Sequence, residues 1–82
     1  MPTWFVYMVR CHDGSLYTGI AINLAKRIAM HNAGKGAKYT RARLPVVLVW
    51  NVAMESATDA RKAEFDMKQM TKKEKEAFIS QI

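Results

Sequence analysis

The sequence predicts an α+β domain: a small three-stranded antiparallel sheet with flanking helices, in the order ββαβαα. Three observations carry that reading. Two segments rich in aromatic and β-branched residues, Trp4 to Arg10 and around Tyr17-Thr18-Gly19, flank a His12-Asp13-Gly14 turn, the pattern of a hairpin. A third run, Val46-Val47-Leu48-Val49-Trp50-Asn51-Val52, follows Pro45. Between and after these lie stretches with helical spacing and cap signals. Eighty-two residues suit one domain spanning 1–82, expected to bury about 60–65% of its unfolded surface.

The first strand, Trp4 to Arg10, is apolar on both faces. Two hairpin registers are open. A two-residue Asp13-Gly14 turn pairs His12 with Ser15 and puts Tyr7 and Tyr17 on opposite faces. A three-residue loop with Gly14 in the left-handed region pairs Cys11 with Ser15 and Val9 with Tyr17. That register puts Tyr7, Val9 and Tyr17 on one face, because side chains alternate with period two. A shared site requires the second register, which is the expectation adopted.

Asn23 is a suitable N-cap for a helix running to about Asn32, with Leu24 and Ile28 inward. Arg27 and His31, four apart, share one face of it. A basic loop follows and ends at Pro45. The run Val46 to Val52 is almost continuously apolar, which predicts a strand buried on both faces. Ser56 and Asp59 suggest a capping box for a helix over about 57–69, and Thr71 with Glu74 repeats the device for one over about 72–80. Phe78 and Ile82 are expected to pack inward.

Composition narrows the function classes. The lone Cys11 has no internal disulfide partner, and no Cys/His spacing suggests zinc. No apolar run approaches the ~20 residues that span a bilayer, and the N-terminus lacks a signal-peptide pattern. A soluble protein of a reducing, cytoplasmic compartment with no membrane partner is expected. The charge is unevenly spread. Arg10 cancels Asp13, and the six acids after residue 54 cancel six bases, so the net +6 lies entirely within residues 14–54. Its carriers are Lys26, Arg27, Lys35, Lys38, Arg41 and Arg43. With Tyr39 and nearby glycines among them, Lys26, Lys35, Lys38, Tyr39, Arg41 and Arg43 suit contact with a polyphosphate chain.

Glu64 stands out by geometry. On a helical wheel Ala57, Ala60, Ala63 and Met67 form the apolar stripe, and Glu64 falls inside it. A carboxylate aimed at a core loses several kcal/mol of solvation unless a cation or donor meets it. A structural pair with Arg27 and a metal-ligand role are both open on that geometry.

The ordered set Phe5-Val6-Tyr7, Tyr17-Thr18-Gly19, Arg27, His31 and Glu64 resembles the GIY-YIG nuclease family. The run His31-Asn32-Ala33-Gly34-Lys35-Gly36-Ala37-Lys38-Tyr39-Thr40-Arg41 adds a resemblance to its small stand-alone bacterial single-domain members, the UPF0213 group. The resemblance covers nearly the whole chain. It implies a nuclease fold and metal-dependent hydrolysis of phosphodiester bonds in DNA, structure- rather than sequence-selective, in repair or processing. It also implies the roles. Glu64 binds a divalent ion, Mg²⁺ or Mn²⁺. Arg27 grips the scissile phosphate, and Tyr17 positions or deprotonates the attacking water. Tyr7 bonds the same water or phosphate, and His31 donates to a phosphate oxygen or assists proton transfer. Two family positions are filled differently: Ile20 and Ala21 stand where many members carry a lysine or other polar helper, and no asparagine follows Glu64. A nucleic-acid-binding module with little catalysis is therefore the alternative, and an auxiliary protein-interaction subunit a second.

Overall fold

A computed structural model describes residues 2–81 of the chain. Its elements are β1 (Trp4–Arg10), β2 (Leu16–Ala21), α1 (Leu24–Asn32), α2 (Lys38–Arg41), β3 (Val47–Met54), α3 (Ala57–Lys68) and α4 (Lys72–Ile79). The order matches expectation, with one addition: the basic segment read as plain loop contains the four-residue α2. The inward packing expected of Ile82 lies outside the described residues.

The hairpin adopts the three-residue loop. Val9 pairs with Tyr17 and Arg10 with Leu16. The Cys11 N–H donates to the Ser15 carbonyl at 2.8 Å, and the Gly14 N–H donates to the Cys11 carbonyl at 2.9 Å. Gly14 has φ +86°, a conformation that glycine reaches without steric cost. The loop therefore sets the register that places Tyr7 and Tyr17 on one face.

The sheet order is β2-β1-β3, so β1 is the central strand. This corrects the expectation for the third strand. β1, not β3, has both faces covered, with Val6, Tyr7, Met8 and Val9 all buried. β3 is an edge strand whose residues are all exposed or half-buried. Its apolar run misleads for two reasons. Val46 belongs to the core just ahead of the strand, and an irregularity opposite Met8 and Val9 moves the pairing from Trp50 to Leu48, leaving Val49 as the extra residue.

Two layers cover the sheet. On the Tyr7 and Val9 face, Leu24, Ile28 and Leu44 pack with Cys11, Ala21 and Val46. On the Val6 face, Ala60, Ala63 and Met67 of α3 pack with Ile20, Trp50 and Val52. α4 is anchored by the Phe78 ring, edge-on to Trp50 at 5.1 Å. It is also held by a two-pronged ion pair from Arg10 to Glu76, at 2.7 and 2.6 Å.

The helix ends follow local chemistry. The Asn23 side chain accepts from the Lys26 N–H, and that of Ser56 from the Asp59 N–H. At Thr71 the capping box is complete, Glu74 reaching back to the Thr71 N–H at 2.9 Å. α1 ends in a Schellman motif: the Lys35 N–H bonds the Met30 carbonyl and the Gly34 N–H that of His31, with Gly34 at φ +78°. The Asn32 side chain then binds both backbone groups of Val46, accepting its N–H at 2.7 Å and donating to its carbonyl at 3.1 Å. That amide ties the end of α1 to the start of β3.

Thr71→Ala removes the cap that starts α4 and is expected to cost about 1 kcal/mol. Urea unfolding checks this, with Thr71→Ser retaining most of the stability.

Candidate functional site

The Tyr7 and His31 side chains meet in the interior, both with no exposed surface. The Tyr7 hydroxyl lies 2.7 Å from His31 Nε2, and His31 Nδ1 lies 2.8 Å from the Thr40 hydroxyl. The direction of each proton follows from the ends of this chain. Thr40 donates its own proton to the Ala37 carbonyl at 2.9 Å, so it accepts from His31, and Nδ1 carries the hydrogen. Nε2 of a neutral imidazole is then an acceptor, and Tyr7 donates to it. The phenol oxygen in turn accepts a longer bond of 3.4 Å from Arg27 Nε. The assigned sequence of donors is Arg27, Tyr7, His31 and Thr40, ending on the Ala37 carbonyl as acceptor.

Electrostatics agree with that assignment. Burial, reinforced by the Arg27 charge, holds the His31 imidazole below its ordinary range and therefore neutral. Burial also pushes the Tyr7 phenol up, outweighing the hydrogen bond and charge of Arg27; Tyr17 and Glu64 add to the rise. Tyr7 keeps its proton to give to His31.

Two glycines leave room for this pair. A Cβ on Gly19 would meet the Tyr7 hydroxyl and ring, its neighbouring ring carbon Cζ at 2.7 Å. On Gly36 it would strike the His31 ring, with His31 Cα at 2.9 Å. Such approaches are closer than a side chain tolerates, so both positions demand the smallest residue.

Tyr17 completes the cluster from β2. Its ring is edge-on to His31 at 5.6 Å and stacked with Tyr39 at 6.0 Å. Glu64 approaches from α3, which covers the other face of the sheet. Layers on opposite faces meet around the free edge of β2, and Lys68 makes that link. Its ammonium lies 3.4 Å from Glu64 and 5.3 Å from the centre of the Tyr17 ring. Lys68, rather than Arg27, is therefore the ion-pair partner of Glu64 among the described residues.

The structure thus brings Tyr7, Tyr17, Arg27 and His31 together and attaches Glu64 through Lys68. The other basic candidates divide. Lys26 shares a surface hollow of about 380 Å³ with Arg27, Asn23 and Met30. The side chains of Lys26, Lys35, Lys38 and Arg41 are exposed and make no hydrogen bond or ion pair among the described residues. Arg43 is already engaged: it bonds Asp13 at 3.1 Å and the Tyr39 carbonyl at 2.8 Å, and lies 4.0 Å over the Tyr39 ring.

The donor set limits which metal would fit. No group of three or more His, Cys, Asp or Glu residues converges among the described residues, and both nitrogens of His31 are occupied. That excludes the ligand set zinc prefers. Glu64 is a single carboxylate with a side chain 23% exposed. It suits a magnesium-like ion that keeps most of its waters and takes one or two carboxylates.

The sequence reading did not find Gly36, Thr40 or Lys68. Gly36 and Thr40 were within reach: they follow His31 by five and nine residues, and a buried imidazole needs a second partner.

Comparison with known proteins follows the same outline. The family model described as the GIY-YIG catalytic domain matches residues 3–77. A UPF0213 protein of Staphylococcus haemolyticus is 46% identical over 81 residues, covering 99% of both chains. One from Desulfotalea psychrophila is 47% identical over 79 residues, covering 95% of this chain and 72% of the relative. The solution NMR structure of a UPF0213 protein from Bacillus halodurans superposes with a TM-score of 0.61 at 41% identity, covering 95% of this chain and 83% of that one. A solution NMR structure from E. faecalis gives a TM-score of 0.66 at 35% identity, covering 98% and 85%.

The neutral, buried His31 makes stability depend on pH. Its folded pKa is depressed, so the unfolded chain binds the extra proton first. Stability is lost as pH falls below the unfolded imidazole value of about 6.5. Urea unfolding between pH 7.5 and 5 is expected to show this loss, up to about 1.4 kcal/mol per pH unit from this one group. His31→Gln is expected to lack that component. Gly36→Ala, forced against the ring, is expected to cost about 1–3 kcal/mol at pH 7.5.

Proposed function

The chain belongs to the GIY-YIG catalytic domain family, and from that membership we propose that it is a metal-dependent endonuclease that hydrolyses phosphodiester bonds in DNA. The observation that supports this best is the convergence of Tyr7, Tyr17, Arg27 and His31, with Glu64 joined at the same sheet edge through Lys68. Residues 1–82 act as one domain in this reading. The substrate in this reading is selected by strand structure rather than base sequence, in repair or processing. The lone buried Cys11 fits a reducing, cytoplasmic setting.

Hydrolysis adds water across one P–O bond, and negative charge builds on the phosphoryl oxygens as it proceeds. Arg27 stands half-buried at the mouth of the cluster and offers a fixed, permanently charged fork to those oxygens. Tyr17, packed edge-on to His31, orients the attacking water in this reading. Tyr7 and His31 are fully buried and act from behind. Tyr7 accepts from Arg27 Nε and so aims the guanidinium, while His31 holds the Tyr7 hydroxyl in place. Their direct contact with phosphate, expected from the sequence, is replaced in this reading by positioning. A divalent ion held by Glu64 would supply further charge neutralisation. Lys26, Lys35, Lys38 and Arg41 remain free to meet backbone phosphates.

The Glu64–Lys68 pair favours a second reading, a nucleic-acid-binding module with little turnover, because the ammonium competes with a metal for the carboxylate.

Cleavage of single-stranded, duplex and branched DNA, with Mg²⁺ or Mn²⁺ and an EDTA control, tests the proposal. Metal-dependent cutting is expected. Arg27→Ala is expected to lower the rate about 10²–10³-fold, the usual loss for one transition-state donor. Glu64→Gln and Tyr17→Phe are expected to lose at least as much, and Tyr7→Phe less. Unchanged cutting by Glu64→Gln overturns the site, and salt-sensitive binding without cutting selects the second reading.

A further inference from the structure

Behind Tyr17 a second hollow opens between β2 and the α3–α4 layer. Its volume is about 340 Å³, and it is lined by Leu16, Tyr17, Thr18, Tyr39, Lys68 and Lys75. An adjoining hollow of about 190 Å³ shares Leu16, Tyr39 and Lys75 and adds Lys72. Neither is lined by an acidic residue.

Two groups here lack partners. Lys75 is 8% exposed, yet its ammonium forms no ion pair or hydrogen bond among the described residues. Burial and the nearby Lys68 hold it below the ordinary lysine range. The Lys75 stem is packed away while its ammonium reaches the hollow, a cation held in place with no counter-charge beside it among the described residues. Thr18 is 1% exposed, and its hydroxyl is buried with no hydrogen-bond partner. An unmet cation and an unmet hydroxyl bordering one hollow call for the same ligand: an anion whose oxygens accept from both.

We propose that this hollow is a phosphate subsite for a nucleic-acid strand, formed by Lys75, Thr18 and Lys68 and flanked by the exposed ring of Tyr39. The assignment rests on the nuclease reading and extends it. The strand passes from Arg27 across Tyr17, so that a phosphate neighbouring the scissile one enters the hollow. Tyr39, which stacks with Tyr17 and carries the Arg43 guanidinium 4.0 Å over its ring, forms the wall of the hollow on the side of the basic segment. The acid-free segment 14–54 therefore does not hold all the phosphate contacts. α3 and α4, neutral in sum, contribute through the buried Lys75 and through Lys68, which also pairs with Glu64 at 3.4 Å.

Two measurements test this. The first is an amide NMR titration of the full chain with inorganic phosphate against chloride at constant ionic strength. Shifts are expected at Thr18, Lys68 and Lys75, and their loss in Lys75→Met. Absence of those shifts in the wild type overturns the subsite whatever the protein cleaves. The second is the salt dependence of binding to a labelled single-stranded oligonucleotide. Lys75→Met is expected to reduce the slope of log K against log salt by about 0.7 and to weaken binding about five- to tenfold near 0.1 M salt. The exposed Lys73→Met, on the same helix, is expected to change neither. An unchanged slope in Lys75→Met, with Arg27→Ala reducing it, overturns the subsite and leaves the nuclease reading standing. Phosphate shifts without any oligonucleotide binding mark a site for free phosphate and overturn the strand assignment.

Discussion

Taking a phenol and an imidazole fully out of water is unfavourable unless every polar atom finds a partner. Tyr7 and His31 meet that condition with each other, and the surroundings follow from it. His31 needs a second acceptor, and α2 exists to present Thr40, whose proton is already given to Ala37. Tyr7 has oxygen lone pairs left, and Arg27 bonds one of them. The two rings approach backbone so closely that positions 19 and 36 must be glycine. The Schellman turn at Gly34 brings the chain back over His31. Register, helix end, loop and glycine placement thus converge on one buried hydrogen bond.

The same bond turns a mobile side chain into an oriented one. An arginine on a surface helix has several rotamers, and its charge is spread over them. Held at Nε by a phenol that is itself held, the Arg27 guanidinium presents its remaining donors in a narrower range of directions. Preorganised donors are what a charge-building reaction needs, because no reorganisation remains to be done when the charge appears. The free edge of β2 supplies the other requirement. It lets α3, on the opposite face of the sheet, deliver Glu64 and Lys68 to the tyrosine side.

Much of this was legible in the sequence, for physical reasons. Alternation and turn chemistry located the hairpin. Cap residues Asn23, Ser56 and Thr71 located three helices, and the helical wheel singled out Glu64. The errors came where tertiary context decides. The Val46–Val52 run was read as doubly buried, but which strand is central depends on sheet order, which local pattern does not encode. α2 is too short to show a period. Lys68 and Lys75 are hidden by net charge: a segment with six acids and six bases reads as neutral, whereas the fold turns Lys75 inward and sets Lys68 between Glu64 and the Tyr17 ring. Arg43 counted as a free cation in the sequence, and the fold pairs it with Asp13.

The claim on which the account turns is the proton arrangement around His31, and long-range ¹H–¹⁵N correlation of its imidazole reads it directly. The account predicts a single neutral tautomer, with hydrogen on Nδ1 and a bare Nε2, persisting below the pH at which an exposed histidine becomes charged. Hydrogen on Nε2, or titration like that of a free imidazole, would contradict it, because Tyr7 would then have no acceptor and Arg27 no fixed partner.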